Sequence, residues 1–127
     1  MRFISVIPAR SGSKGIKNKN IIKIGNKLLI QHTFSAARKS KTHQNFVLTD
    51  SAKIKNIAKK YKINSEYVRP KKVSKSTTSL IDTLWDFSRW LEKKGIVYDF
   101  MVILQPTSPL RDYKDINNSI EIIKKSQ

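Results

Sequence analysis

Phe3-Ile4-Ser5-Val6-Ile7 and Phe100-Met101-Val102-Ile103-Leu104 are short apolar runs, stopped by Pro8 and by Gln105-Pro106. Runs of this length with a proline at the exit suit strands buried on both faces, as in a parallel sheet. Phe46-Val47-Leu48, ended by Thr49-Asp50-Ser51, predicts another strand, and Glu66-Tyr67-Val68, halted at Arg69-Pro70, a brief further one. Helical periods fill the intervals. From Leu28 to about Ser40, Leu29, Ile30, Thr33, Phe34 and Ala37 recur on one face. Ile54, Ile57, Ala58 and Tyr61 form an i, i+3, i+4, i+7 set. A Ser/Thr cluster ending at Ser79 predicts the N-cap of a long helix that buries Leu80, Ile81, Leu84, Trp85 and Leu91 and stops near Gly95. A last helix, about Tyr113 to Lys125, presents Ile116, Ile120 and Ile123. The order βαβαβαβα predicts an α/β fold, a three-layer α/β/α arrangement around a mainly parallel sheet.

That topology has a consequence for function, because ligands of such sheets bind outside the carboxyl ends of the strands. The polar segments all fall there: residues 10–20 after the first strand, Asp50 after the second, Arg69 after the third and 105–111 after the fourth. They are expected to converge on one rim.

The chain has 127 residues and 39% hydrophobic content, enough for one compact domain. No apolar stretch is long enough to span a bilayer, and the N-terminus is too soon interrupted to read as a signal peptide. With no cysteine there is no disulfide and no thiolate metal site, which fits a cytoplasmic protein with no membrane partner. The formal charge is +17, and its distribution is uneven. Residues 1–75 hold 19 Lys/Arg against Asp50 and Glu66, whereas residues 76–127 hold 7 basic and 7 acidic residues. A positive field over the first part attracts polyanions such as a nucleoside triphosphate or a nucleic-acid backbone. Twenty of the 26 cations are Lys, however, and solvated surface accounts for most of them. A nucleic-acid partner is not expected, since Trp85 and Trp90 fall on a helix and not among the basic loops, leaving no stacking platform.

The strongest local signal is Pro8-Ala9-Arg10-Ser11-Gly12-Ser13-Lys14-Gly15-Ile16-Lys17-Asn18-Lys19-Asn20. Small residues let the backbone approach a ligand, and successive N–H groups in a tight loop form an anion-binding nest. Arg10 can grip phosphate oxygens through two parallel hydrogen bonds, and Lys14 and Lys19 add charge. The spacing is neither that of a P-loop nor that of a dinucleotide fingerprint. An ordinary basic loop is the competing reading.

The Ala-Arg-x-x-Ser-Lys-Gly-x-x-x-Lys-Asn pattern of residues 9–20 resembles the N-terminal signature of the acylneuraminate (CMP-sialic acid) cytidylyltransferases. Leu104-Gln105-Pro106-Thr107-Ser108-Pro109-Leu110-Arg111 resembles a second signature of that family, and Arg69-Pro70 with the Ser/Thr-rich Ser74 to Ser79 a third. The order and spacing agree along essentially the whole chain. The resemblance implies a Rossmann-like nucleotidyltransferase that transfers CMP from CTP to the anomeric hydroxyl of a sialic-type nonulosonic acid, releasing pyrophosphate. By match to the family, Ala9, Arg10, Ser13, Lys14, Gly15, Lys19, Asn20 and Arg69 would bind the nucleotide, with Arg10 and Lys19 acting on the phosphates. Gln105, Thr107, Ser108 and Arg111 would bind the sugar acid.

The family's enzymes are longer, and the resemblance places the aspartates that hold Mg²⁺ in their C-terminal part. Residues 1–127 are therefore expected to be the nucleotide-binding N-terminal part of such an enzyme, truncated at the C-terminus, with Mg²⁺ implied and no metal ligand in this chain. Related Kdo enzymes carry acidic residues where this chain has Pro106-Thr107-Ser108-Pro109, which favours a sialic-type substrate. A non-catalytic CTP-binding fragment or remnant is the alternative. An open sheet edge left by truncation would favour association, so a homodimer is among the expected partners. Asp50 reads as an N-cap, Asp82 and Asp86 as solvated surface, and His32 and His43 as residues without a role.

Overall fold

The structure is a computed structural model and describes residues 1–9, 23–24, 27–68, 80–106 and 112–126. Its centre is β1 (Phe3–Pro8), which pairs in parallel with β4 (Gln44–Leu48) on one side and β5 (Phe100–Ile103) on the other. The registers run from Ile4↔Gln44 to Pro8↔Leu48 and from Phe3↔Phe100 to Val6↔Ile103. Between β1 and the first helix lies an antiparallel pair, β2 (Lys23–Ile24) with β3 (Lys27–Leu28). The helices are α1 (Leu29–Lys39), α2 (Ala52–Lys60), α3 (Leu80–Lys94) and α4 (Tyr113–Lys125).

Side chains alternate along β1, and each set enters a different core. Phe3, Ile7 and then Ala9 pack with Ile30 and Phe34 of α1, Ile54 and Ala58 of α2, and Ile116 and Ile120 of α4. Ile4 and Val6 face the other way, against Phe46, Leu48, Tyr67, and Phe87 and Leu91 of α3. The parallel sheet covered on both faces, expected from the sequence, is what forms.

Three local expectations need correction. First, Glu66–Val68 is not a strand. The edge next to β4 is a single parallel bridge, Phe46↔Asn64, made by the Val47 amide donating to the Asn64 carbonyl (3.0 Å) and the Asn64 amide to that of Asn45 (2.9 Å). The Asn64 side chain then accepts from the Glu66 amide (2.9 Å), a local turn that competes with further pairing. Tyr67 instead plugs the core, with its hydroxyl donating to Asp86 Oδ2 at 2.5 Å. Asp86 is thus an anchor and not solvated surface.

Second, α3 is rotated from its expected setting. It buries Thr83, Phe87 and Leu91, while Ile81 and Trp85 stay 65% and 64% exposed. The cause is an aromatic slot: Phe87 packs edge-on to Phe46 (5.3 Å) and Tyr67 (5.2 Å) and stacks on Trp90 (5.7 Å). Helix α3 ends as expected, with Gly95 at φ +73° and the Ile96 amide reaching back to the Leu91 carbonyl (3.0 Å).

Third, the cap of α2 is Ser51, whose Oγ accepts from the Ile54 amide (3.2 Å). Asp50 is left exposed at the end of β4.

Candidate functional site

The strand order β4-β1-β5 means that the chain leaves β1 to one side, reaching β4 through α1, and later crosses to the other side, reaching β5 after α3. The order therefore reverses between β1 and β5. In open parallel sheets this topological switch point is where the loops part and a crevice opens at the carboxyl ends. The described strand exits that flank it are Ala9, leaving β1, and residues 104–106, leaving β5.

Pairing continues a little past both strands and holds their exits in place. The Ala9 amide donates to the Leu48 carbonyl (2.9 Å), and the Leu104 amide to that of Val6 (2.9 Å). Ala9 and Leu104 are buried in the core shared by α1 and α4, so both loops start from fixed points on adjacent strands, roughly 4.8 Å apart. Ala9 lies below the rim as a core residue. Gln105 is exposed immediately past Leu104, and Pro106 behind it is buried. Of the other expected site residues, Arg10, Ser13, Lys14, Gly15, Lys19, Asn20, Arg69, Thr107, Ser108 and Arg111 lie outside the described residues.

The third strand end adds Thr49 and Asp50. Thr49 is fully buried, and its Oγ1 accepts from the Ser51 amide (3.1 Å), which leads into the capped start of α2. Sequence reasoning had credited the cap to Asp50 because both Asp and Ser favour that position; the shift by one residue leaves the carboxylate at the rim.

Helix α4 also begins on this side, directly after residues 105–111, but its N-terminus is already occupied. Asp112 Oδ1 accepts from the amides of Lys114 (2.9 Å) and Asp115 (3.2 Å), and the Asp112 amide donates to Asp115 Oδ2 (3.2 Å). A carboxylate so placed satisfies the helix end, so this N-terminus is not free for an anionic ligand. Asp112→Ala is expected to lower stability by about 1–2 kcal/mol, read as a lower urea midpoint, with Asp112→Asn retaining most of it.

The opposite end of the sheet holds His43 and Asp99. The Phe3 amide donates to His43 Nδ1 (3.1 Å) and the Arg2 amide to Asp99 Oδ2 (2.6 Å), which ties down the chain's start. These residues are structural and remote from the rim. Among the described residues no group of three or more His, Asp or Glu gathers to hold a metal. The carboxylates described at the rim, Asp50 beside β4 and the helix-capping Asp112 and Asp115, do not make a magnesium donor set, so the described residues do not fit that ion. Among them, too, no helix is long and apolar enough to cross a membrane.

Comparison with known proteins agrees with this architecture. The chain is 35% identical over 125 residues to CMP-N,N'-diacetyllegionaminic acid synthase of Legionella pneumophila, covering 98% of this chain and 54% of that protein. It is 34% identical over 117 residues to pseudaminic acid cytidylyltransferase of Campylobacter jejuni, covering 91% of this chain and 50% of that one. N-acylneuraminate cytidylyltransferase of Escherichia coli is 32% identical over 122 residues, with 95% and 28% covered. The chain thus spans about half, or less, of the length of these relatives. In fold it is similar to a CMP:2-keto-3-deoxy-manno-octonic acid synthetase solved with CTP, at a TM-score of 0.78 and 20% identity, over 98% of this chain and 48% of that one. The family model described as cytidylyltransferase matches residues 4–127, and the chain belongs to that family.

Proposed function

We propose that residues 1–127 carry the nucleotide-binding part of a cytidylyltransferase that moves CMP from CTP to a sialic-type nonulosonic acid. In that reaction the sugar's anomeric oxygen bonds to the α-phosphorus of CTP, the bond to the β-phosphate oxygen breaks, and pyrophosphate leaves as the hydroxyl proton is lost. The observation that carries the reading is the position of the basic loop. What is seen of it is its start: Ala9 leaves the central strand at the switch point, beside the strand that delivers Gln105, and the basic segment follows Ala9 in sequence. Names of the relatives support the substrate class.

On this reading Arg10 and Lys19 offset charge on the phosphates. The backbone around Ser13, Lys14 and Gly15 cradles them, with Asn20 and Arg69 alongside. Gln105, with Thr107, Ser108 and Arg111, takes the sugar acid from the neighbouring strand end. Catalysis of this kind rests on positioning and on electrostatic stabilisation of the departing pyrophosphate. Mg²⁺ belongs to the proposal only as an ion supplied with the nucleotide, because the described residues do not form its site.

Titration calorimetry with CTP at low ionic strength, paired with a CMP-forming assay containing CTP, Mg²⁺ and N-acetylneuraminate, tests this. The chain is expected to bind CTP with an affinity that falls as salt rises and to turn over poorly by itself. Absence of CTP binding, or its displacement by random-sequence DNA, would sink the reading. CTP binding that never yields CMP-sugar, even when the part of a relative that this chain does not match is added, would favour the non-catalytic alternative.

A further inference from the structure

We propose that the end of the sheet opposite the rim is a cationic face that rests on an anionic lipid surface, leaving the rim open to solution. The inference concerns an interface and stands independently of nucleotide chemistry.

Parallel strands joined by helices send the helix C-termini to the end where the strands begin. Helices α1, α2 and α3 each close on a pair of cations: Arg38 and Lys39, Lys59 and Lys60, Lys93 and Lys94. All six are exposed. Arg2, Lys41 and Lys62 are exposed too, and the backbone holds them at the same level. The His43 amide donates to the Phe3 carbonyl (2.7 Å), the Asn64 amide to that of Asn45 (2.9 Å) and the Asp99 amide to that of Arg2 (2.8 Å). The turns before β4, after α2 and before β5 are thereby fixed beside the strand starts, on neighbours about 4.8 Å apart.

A cation in a last turn complements its own helix end. Arg2, Lys41 and Lys62 lie outside the helices and extend the positive field beyond that use. Outside α4, the carboxylates described at this end are Glu92 and Asp99, and Asp99 already accepts from the Arg2 amide (2.6 Å). None of these cations pairs with a carboxylate among the described residues. Lys124 and Lys125 close α4 in the same way and are not needed for the face. The sequence alone points to no membrane partner, because the cations are scattered between Arg2 and Lys94; the fold collects them.

Two features select lipid over nucleic acid. Val97, 69% exposed, stands in the turn between the Lys93-Lys94 pair and β5. An apolar tip among cations gains from the boundary of headgroups and acyl chains, and nothing from a phosphodiester backbone. The rings at this end, moreover, are engaged inward. Trp90 stacks on Phe87 (5.7 Å) and carries Lys94 over its ring (5.6 Å), Tyr61 packs on Phe34 (6.0 Å), and Tyr98 packs against the core under α3. They offer bases no stacking platform. Among the described residues no helix can cross a membrane, so the contact is peripheral and electrostatic.

Sedimentation with sucrose-loaded vesicles tests this. The chain is expected to bind phosphatidylcholine vesicles containing about 30 mol% phosphatidylglycerol, and not vesicles of phosphatidylcholine alone. Partition should fall at least about tenfold between about 0.05 and about 0.3 M salt. Lys39→Gln, Lys41→Gln, Lys60→Gln and Lys93→Gln combined are expected to lower it at least about 100-fold. Lys53→Gln, Lys55→Gln, Arg89→Gln and Lys114→Gln combined remove the same charge from the first turns of α2 and α4 and the middle of α3. That variant is expected to lose no more than about fivefold. Val97→Ser is expected to cost about threefold at every salt concentration, because apolar contact is not screened. Each replaced side chain is exposed or half-exposed, so urea midpoints are expected to stay in place. No binding to the anionic vesicles at the lower salt, or equal losses from the two fourfold variants, overturns the proposal. So does tighter binding to random-sequence duplex DNA that is lost with the same four lysines, which would make nucleic acid the occupant. CTP is absent from every readout, so failure of the nucleotide reading would leave these results unaltered.

Discussion

Phe87→Ala is expected to lower the unfolding free energy by about 3–5 kcal/mol, whereas Trp85→Ala, two residues earlier, changes it by no more than about 0.5 kcal/mol. The contrast is large because the two rings lie on different sides of α3. Phe87 is fully buried and touches three aromatic neighbours at 5.2–5.7 Å, so truncation empties a slot walled by Phe46, Tyr67 and Trp90. Rigid walls from β4 and α3 limit how far that slot can close, which adds a cavity cost to the lost burial. Trp85 is mostly solvated, and removing it leaves no cavity. For a domain whose total stability is about 5–15 kcal/mol, the first change consumes a large share of it. Urea denaturation followed by far-ultraviolet dichroism measures both. Phe87→Leu keeps the variant folded if Ala does not, at a cost expected near 1–1.5 kcal/mol. A larger loss from Trp85→Ala than from Phe87→Ala would mean that α3 faces the sheet with its other side.

The same helix shows where sequence reading stops. Periodicity over 80–94 establishes a helix, but the segment carries apolar residues on two faces, and pattern alone credits Ile81 and Trp85 as readily as Phe87. What decides the rotation is Phe46 on β4 and Tyr67 beyond it, both distant in sequence. By contrast, α2 was legible throughout: Ile54 and Ala58 are buried and Ile57 and Tyr61 pack against the same cluster, as their spacing requires. Strand β1 was equally clear, because a continuous apolar run ended by proline has few alternatives. The hairpin of β2 and β3 was missed although Gly25-Asn26 sits between its strands and is a hairpin signal. Two residues per strand are too few for alternation to register.

Much the same division holds for the candidate site. That polar segments follow three of the strands was readable, and the parallel sheet brings the exits of β1, β4 and β5 to one end. Arg69 follows a segment that proved not to be a strand, so its expected place on the rim lacks that support. The switch point between β1 and β5 could not be read from the sequence, since it depends on which side of β1 each later strand joins. On the proposed reading the weight of phosphate binding falls to the segment after β1 and not to the start of α4, where Asp112 fills the anion-binding position.

That weight can be measured one side chain at a time. Arg10→Ala and Lys19→Ala are each expected to weaken CTP binding by about 10- to 100-fold, the loss of one charge-assisted hydrogen-bonding group to phosphate. Lys59→Ala and Lys60→Ala, in the last turn of α2 and so at the end away from the rim, remove the same formal charge and are expected to change affinity less than about twofold. The comparison separates contact from field. If the +17 charge merely concentrates nucleotide around the molecule, every cation contributes alike and the α2 variants fall as far as the loop variants. If the loop cradles the phosphates, Arg10 and Lys19 stand apart. They should also differ from each other, for a guanidinium binds two oxygens at once and an ammonium acts as a point charge. Arg10→Lys is therefore expected to recover little, and Lys19→Arg to recover much of the affinity. Equal losses at all four positions would remove the loop from the site, and with it the physical basis for calling this rim a nucleotide-binding one.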